Sequence, residues 1–303
     1  MDNTGTIGFE GQSFDLERDA YTSVWGNTWR RFRRSPSALI GLTTIFLLAV
    51  GATLAPQISG HTDPLAQNLT QPTLAPSWHH LAGTDKLGRD IFTRLLFGAR
   101  LSVEIGLISV GVALLVGTVI GVISGFWGRS LDVTLMGFMD VMLAFPTIIL
   151  AIAISAILDQ RVSDVVKLIL AIGIVAIPIY ARIARSSVLA VKEQEFVEAA
   201  RAMGNNSFGL IVKHVMPNIL APLVVQATLG IGTAELDSAG LSYLGLGIQP
   251  PTPEWGSMLD DARDYWLNAP WALLFPGLAI SLTVLGFNLL GDGLRDALDP
   301  RAE

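Results

Sequence analysis

"EFVEAARAMGNNSFGLIVKHVMPN", residues 195–218, is a charged stretch broken by Gly204 and Gly209 and set between two long apolar runs. A polar helix-turn-helix in that position makes sense only as a loop between membrane spans that meets something in water. The rest of the chain supports this setting. It is 51% hydrophobic and only 15% charged, against about 25% charge in ordinary soluble domains. Several of its apolar runs reach the roughly 20 residues a helix needs to cross the hydrocarbon core. The expected class is an all-α integral membrane protein. Six spans are expected, near residues 38–56, 101–125, 137–158, 167–184, 219–247 and 271–291.

Orientation follows from the basic flanks, because Lys and Arg collect on the cytoplasmic side. With the N-terminus inside, Arg18, Arg30, Arg31, Arg33, Arg34, Arg129, Arg182, Arg185, Lys192, Arg201, Lys213, Arg295 and Arg301 all lie in cytoplasmic segments or beside them. Fewer fall outside, and Arg89, Arg94 and Arg100 among those belong to a long loop, where the rule is weak. Both termini are therefore expected in the cytoplasm, and 185–217 becomes the main cytoplasmic loop. Residues 57–100 form the main outer excursion. Residues 249–270 form a second outer cap, whose Trp255, Trp266 and Trp271 suit the membrane interface.

Ahead of the first span, "YTSVWGNTWRRFRRSP" places Tyr21, Trp25, Trp29 and Phe32 near one helical face beside four arginines. That pattern fits an interfacial helix on anionic lipid, or a basic flank that orients the first span. Residues 1–36 are thus expected as an N-terminal arm, and 37–303 as the six-span domain.

The spans carry their own signals. Gly117, Gly121 and Gly125 recur every four residues and would let another helix approach closely. Pro146, Pro178, Pro222 and Pro276 each remove a backbone donor and tend to kink a helix. An acid at a span's centre costs roughly 2.5–3.5 kcal/mol on insertion scales. Asp140, Glu235 and Asp237 therefore face a wet path, or hydrogen-bond a neighbouring helix for structural reasons.

Catalytic signals are missing. The chain has no cysteine, which excludes thiol nucleophiles and thiolate metal sites. His79 and His80 are adjacent, poor geometry for one metal. "GTDKLGRD", residues 83–90, has a G-x-x-x-x-G skeleton but carries Arg89 and Asp90 where a phosphate loop needs Lys and Ser or Thr. A net charge of −6 weighs against a nucleic-acid partner. No metal, nucleophile or general base is assigned, and the chain is expected to move a solute rather than catalyse a reaction.

In the quoted loop, Val191, Phe196, Ala199, Ala200 and Met203 supply an apolar side, with Glu193, Glu195, Glu198 and Arg201 opposite. Gly204 is placed to end the helix at positive φ. "FGLIVKHV" reads as a second short helix, with Pro217 starting the return to the membrane. Glu198-Ala199-Ala200, Gly204 and Pro217, at this spacing, resemble the EAA loop of binding-protein-dependent ABC importer permeases. "WRRFRRSPSALIGL", "GTDKLGRDIFTRLLFGARLS", "AGLSYLGLGIQPPTPEWGSML" and "FNLLGDGLRDALDP" extend the likeness, in order, to the C-type permease of dipeptide and oligopeptide importers.

The resemblance implies a division of labour. Glu195, Glu198, Ala199, Ala200, Arg201, Gly204 and Pro217 would couple to two cytoplasmic ATPase subunits, which hold the ATP and Mg; none binds to this chain. A second, non-identical permease would complete the path, with Asp140, Glu235 and Asp237 as its candidate residues here. An external binding protein would deliver peptide through a bacterial inner membrane. Nickel, glutathione or a peptide antibiotic are alternative cargoes within the family. An ion-gradient-driven secondary transporter is the alternative of another class, although no inverted repeat is visible.

Overall fold

A computed structural model describes residues 24–158 and 161–298. The expectations for Arg18, Tyr21 and Arg301 lie outside them. Twelve helices follow in chain order: α1 (Val24–Phe32), α2 (Pro36–Thr53), α3 (Ala55–Ile58), α4 (Ile91–Trp127), α5 (Arg129–Ala144), α6 (Thr147–Ile157), α7 (Asp164–Lys192), α8 (Glu195–Ala202), α9 (Ser207–Leu210), α10 (Met216–Tyr243), α11 (Trp255–Ala262) and α12 (Trp271–Leu298). A π turn, Ile211–Val215, joins α9 to α10. Among the described residues, five helical stretches are long and apolar enough to cross a membrane. The pair α5–α6 makes a sixth if its two halves count as one span.

That pair corrects the expected third span. Residues 137–158 do not form one rod: α5 and α6 meet at 101° around Phe145 and Pro146. Proline cannot continue the hydrogen-bond ladder and forces the residue before it out of the α region. Phe145 is accordingly extended, at φ −86° and ψ 138°. Pro178, Pro222 and Pro276 by contrast sit inside helices that run on through them.

The core of the bundle is the long contact between α4 and α7. The glycine stripe makes it possible. A Cβ on Gly117 would lie 2.6 Å from the Tyr180 Cβ, and one on Gly125 would lie 3.0 Å from the Arg185 carbonyl oxygen. Ile105, Ala113, Ala171, Ala181, Ala184 and Val188, mostly small, are buried on these two helices. The small residues also bring the polar backbones together, as close helix packing in membranes requires. The second span begins ten residues earlier than its hydropathy suggests. The amphipathic 91–101 stretch and the apolar 101–125 stretch are one helix, started by Asp90, whose carboxylate accepts the Thr93 N–H at 2.7 Å.

At the end of the bundle opposite α8, the 57–100 and 249–270 segments lock together around a buried arginine. Arg89 donates to Asp85 at 2.5 Å and to Asp261 at 2.7 Å, and Lys86 pairs with Asp261 at 2.7 Å. "GTDKLGRD" is therefore a tight structural turn, with Gly83 and Gly88 at positive φ. Trp255 is buried rather than interfacial, its ring N–H donating to the Leu95 carbonyl at 3.0 Å. Trp266 is half exposed. Glu254 caps α11 by accepting the Gly256 and Ser257 N–H groups; burial raises its carboxyl above the ordinary range while those donors pull it down. Arg89→Ala would strand Asp85, with the more distant Arg94 its remaining cation at 3.9 Å. Breaking a buried pair costs about 3–5 kcal/mol. A clear fall in the thermal unfolding midpoint of the purified chain is expected, and an unchanged midpoint would refute the account of this lock.

Candidate functional site

At the other end of the bundle, α7 stops at Lys192, whose ammonium donates to the Gly125 carbonyl at 3.1 Å. The chain turns at Glu193 and Gln194 and forms α8. Only two α8 side chains face inward: Val197 and Ala200, packed with Leu210, Phe126 and Val191. The sequence pattern puts Phe196, Ala199 and Met203 on one apolar side with Ala200 and Val191, but they point outward; Phe196 and Met203 are 45% and 77% exposed. Glu195, Glu198 and Arg201 are exposed beside them.

The helix ends as its sequence demands. Gly204 has φ +87°, its N–H donates to the Arg201 carbonyl, and the Asn205 N–H donates to that of Ala200. These two bonds satisfy carbonyls the last turn leaves open, and the positive φ favours glycine. Asn206 then caps α9 through the Gly209 N–H at 2.8 Å. The second short helix is not a separate element. α9, the π turn and α10 form one helical stretch from Ser207 to Tyr243, and Pro217 falls in its interior rather than starting a new segment. Phe208, 75% exposed, joins Phe196 and Met203 on the outer face. The result is an exposed apolar crown ringed by charge, clamped by a buried three-residue contact and continuous with α7 and α10. Sequence reasoning missed Phe208 on this face; its place two residues after the cap, where α9 has just begun, is the signal.

Within the bundle, a cavity of about 200 Å³ opens between α4, α5, α7 and α10. Asp237 lines it together with Thr233, Gln226 and Tyr180. Asp140 lines a different recess nearer α8, where it accepts a 2.6 Å hydrogen bond from Arg182. Glu235 is outside the Asp237 cavity. It is 1% exposed against α4, near Gly106, and its Oε2 has no hydrogen-bond partner among the described residues; nor has the Ser238 Oγ. The three acids therefore occupy three environments. Asp237→Asn is expected to slow solute passage in an assembled protein. Glu235→Gln, which supplies N–H groups to a seam lacking partners, is expected to change assembly yield instead. Transport and yield measured side by side separate the two, and a reversed pattern refutes the assignment.

The geometry has counterparts. Residues 117–303 match the family described as binding-protein-dependent transport system inner membrane component, and 23–76 match the N-terminal TM domain of oligopeptide transport permease C. A dipeptide transport system permease protein, DppC, of Alkalihalophilus pseudofirmus is 47% identical over 93% of this chain and 92% of its own. A di/tripeptide transport system permease protein of Pseudomonas aeruginosa is 44% identical over 93% of each. A glutathione transport system permease protein, GsiD, of Shigella dysenteriae is 43% identical over 94% and 93%. The fold is shared with a chain of the MetNI methionine ABC transporter, at a TM-score of 0.55 and 20% identity, over 68% of this chain and 96% of that one. The chain belongs to the family of binding-protein-dependent transport system inner membrane components.

Proposed function

We propose that this chain is one of two permease subunits lining the path of an ATP-driven importer of di- and oligopeptides. The observation that carries the reading is the crown of α8 and α9. It exposes Phe196, Met203 and Phe208 at the tip of the bundle, yet its base is packed on Phe126 of α4 and Val191 of α7. An apolar crown ringed by charge suits a groove in a soluble partner, and a stiff base carries that partner's movement into the bundle.

On this reading Glu195, Glu198, Ala199, Ala200, Arg201 and Gly204 meet a cytoplasmic ATPase, and Pro217 lies where the crown passes into α10. ATP and Mg belong to two such subunits. A second, non-identical permease closes the path beside the exposed faces of α5 and α6. The locked outer cap receives an extracytoplasmic binding protein. Both termini lie in the cytoplasm, and residues 1–36 act as an arm ahead of the six-span body. The names of the dipeptide and di/tripeptide relatives support a peptide cargo. The similar identity of the glutathione relatives makes glutathione, itself a peptide, the second reading.

The test is direct. The chain is purified with its associated subunits, reconstituted, and assayed for ATP hydrolysis and uptake with dipeptides, tripeptides and glutathione. Peptide-stimulated hydrolysis with vanadate-sensitive uptake is expected. Uptake that survives vanadate but collapses with an ionophore would place the protein among gradient-driven transporters and overturn the proposal.

A further inference from the structure

Four charged residues pair across the α5–α7 contact, and the two pairs differ in kind. Asp132 accepts from Arg185 Nε at 2.5 Å and Nη2 at 2.6 Å, and from the Ser124 hydroxyl. Those three residues, on α5, α7 and α4, staple α5 to the α4–α7 core. The second pair, Asp140 with Arg182, rests on one hydrogen bond of 2.6 Å, and its side chains are 60% and 54% exposed. Both line an open recess of about 590 Å³ with Met136, Ile183, Arg185 and Ser186.

The recess lies next to the cavity that holds Asp237. Ile179 and Met142 line the cavity, while Arg182 and Asp140 line the recess, about one helical turn further toward Lys192 on α7. Arg182 is ten residues from the α8 end of its helix, roughly 15 Å at 1.5 Å per residue. Solute leaving the cavity toward the α8 end meets this pair next.

An exposed ion pair contributes little to stability, about 0–1 kcal/mol. With Asp132 and Arg185 already holding the helices together, the Asp140–Arg182 pair is free to open at small cost. Once open it presents one carboxylate and one guanidinium. A guanidinium fits a carboxylate in a two-pronged contact, and a carboxylate accepts from an ammonium. A free dipeptide carries both complements, separated by about 7 Å when extended at roughly 3.3–3.6 Å per residue. Each charge on the protein then exchanges a protein partner for a ligand partner, and no charge is left uncompensated.

We infer that Asp140 and Arg182 form an exit-side site that exchanges their mutual ion pair for the two terminal charges of a zwitterionic peptide. The inference rests on the peptide reading above and adds which residues of this chain recognise the cargo's ends.

The absence of cysteine from the chain provides a clean reporter. Ser186→Cys places a single thiol of this chain on the recess wall, and Met136→Cys gives an independent second position. In the complete reconstituted complex, the rate of modification by a small charged thiol reagent is measured, with the unsubstituted complex as background. Alanyl-alanine is expected to slow modification at both positions. N-acetyl-alanyl-alanine amide, which has neither terminal charge, is expected to require at least about tenfold more for the same protection, since each of its two lost charge-assisted contacts is worth about that much. With Asp140→Asn and Arg182→Gln present together the preference for the charged peptide should vanish. Equal protection by both peptides, no protection by either, or thiols that never react because another subunit covers the recess would each overturn the inference. Uptake of alanyl-alanine in the same vesicles separates the two claims. Uptake without protection defeats this site alone, whereas no uptake defeats the peptide reading.

Discussion

Ala199→Pro is expected to bring uptake close to background while hydrolysis in the assembled complex no longer responds to loaded binding protein. Ala199 lies in the middle of an eight-residue helix, a length that is marginal without tertiary support. Proline there removes one ladder bond and clashes with the preceding turn, at a cost of about 3 kcal/mol. That corresponds to a roughly hundredfold fall in the equilibrium constant for the intact crown. Val197 and Ala200 would lose the register that packs them on Leu210, Phe126 and Val191. Gly204→Val acts in the same direction by another route, because no atom lies within 4 Å of its added Cβ but the backbone stays at φ +87°. Ala199→Ser, on the exposed face, should be nearly silent. Normal uptake by the proline variant, with hydrolysis still stimulated, would show that α8 transmits nothing.

The second large effect is on folding. A leucine at Gly121 would drive its Cβ into the Ala181 carbonyl oxygen and to within 2.6 Å of the Ala184 Cβ and 2.9 Å of the Arg185 nitrogen. These are main-chain and first-carbon atoms, which cannot rotate away. Overpacking a tight core usually costs about 1–3 kcal/mol, and here two helices must separate along their length. Gly121→Leu is expected to leave no monodisperse protein after detergent extraction. Gly111→Ala, on the same helix with nothing within 4 Å, should run as wild type and can gain about 0.5–1 kcal/mol from higher helix propensity. A monodisperse Gly121→Leu protein would refute the close α4–α7 approach.

Local rules made much of this readable in advance. The four-residue glycine spacing pointed to close approach because helical geometry puts such residues on one stripe. Gly204 pointed to a helix end because few other residues accept positive φ. The 101° break at Pro146 was not readable from hydropathy, which runs unbroken through Phe145 into Thr147; a proline alone does not decide between a bend and a continuous helix, as Pro178 and Pro222 demonstrate. The outward placement of Phe196 and Met203 was also hidden. In so short a helix the apolar residues go nearly all the way round, and the inward face is chosen by Leu210 and Phe126, which come from elsewhere in the chain. The pairing of Asp140 with Arg182 and of Arg89 with Asp261 joins residues far apart in sequence, where charge type names candidates but not partners. The burial of Trp255 depends likewise on Leu95 being present to accept its N–H.

The uninterrupted helix from Ser207 through the π turn to Tyr243 has a mechanical consequence. At 37 residues it is a shaft of about 55 Å, with Phe208 at one extremity and α11 packed beside the other. Asp237 rides on it partway along. A shaft gripped at both extremities has no preferred direction of signalling: a torque applied at the crown turns the cap, and a load placed on the cap turns the crown. On the proposed reading, cargo arriving on one side of the membrane and a motor closing on the other would be two readings of a single rotation.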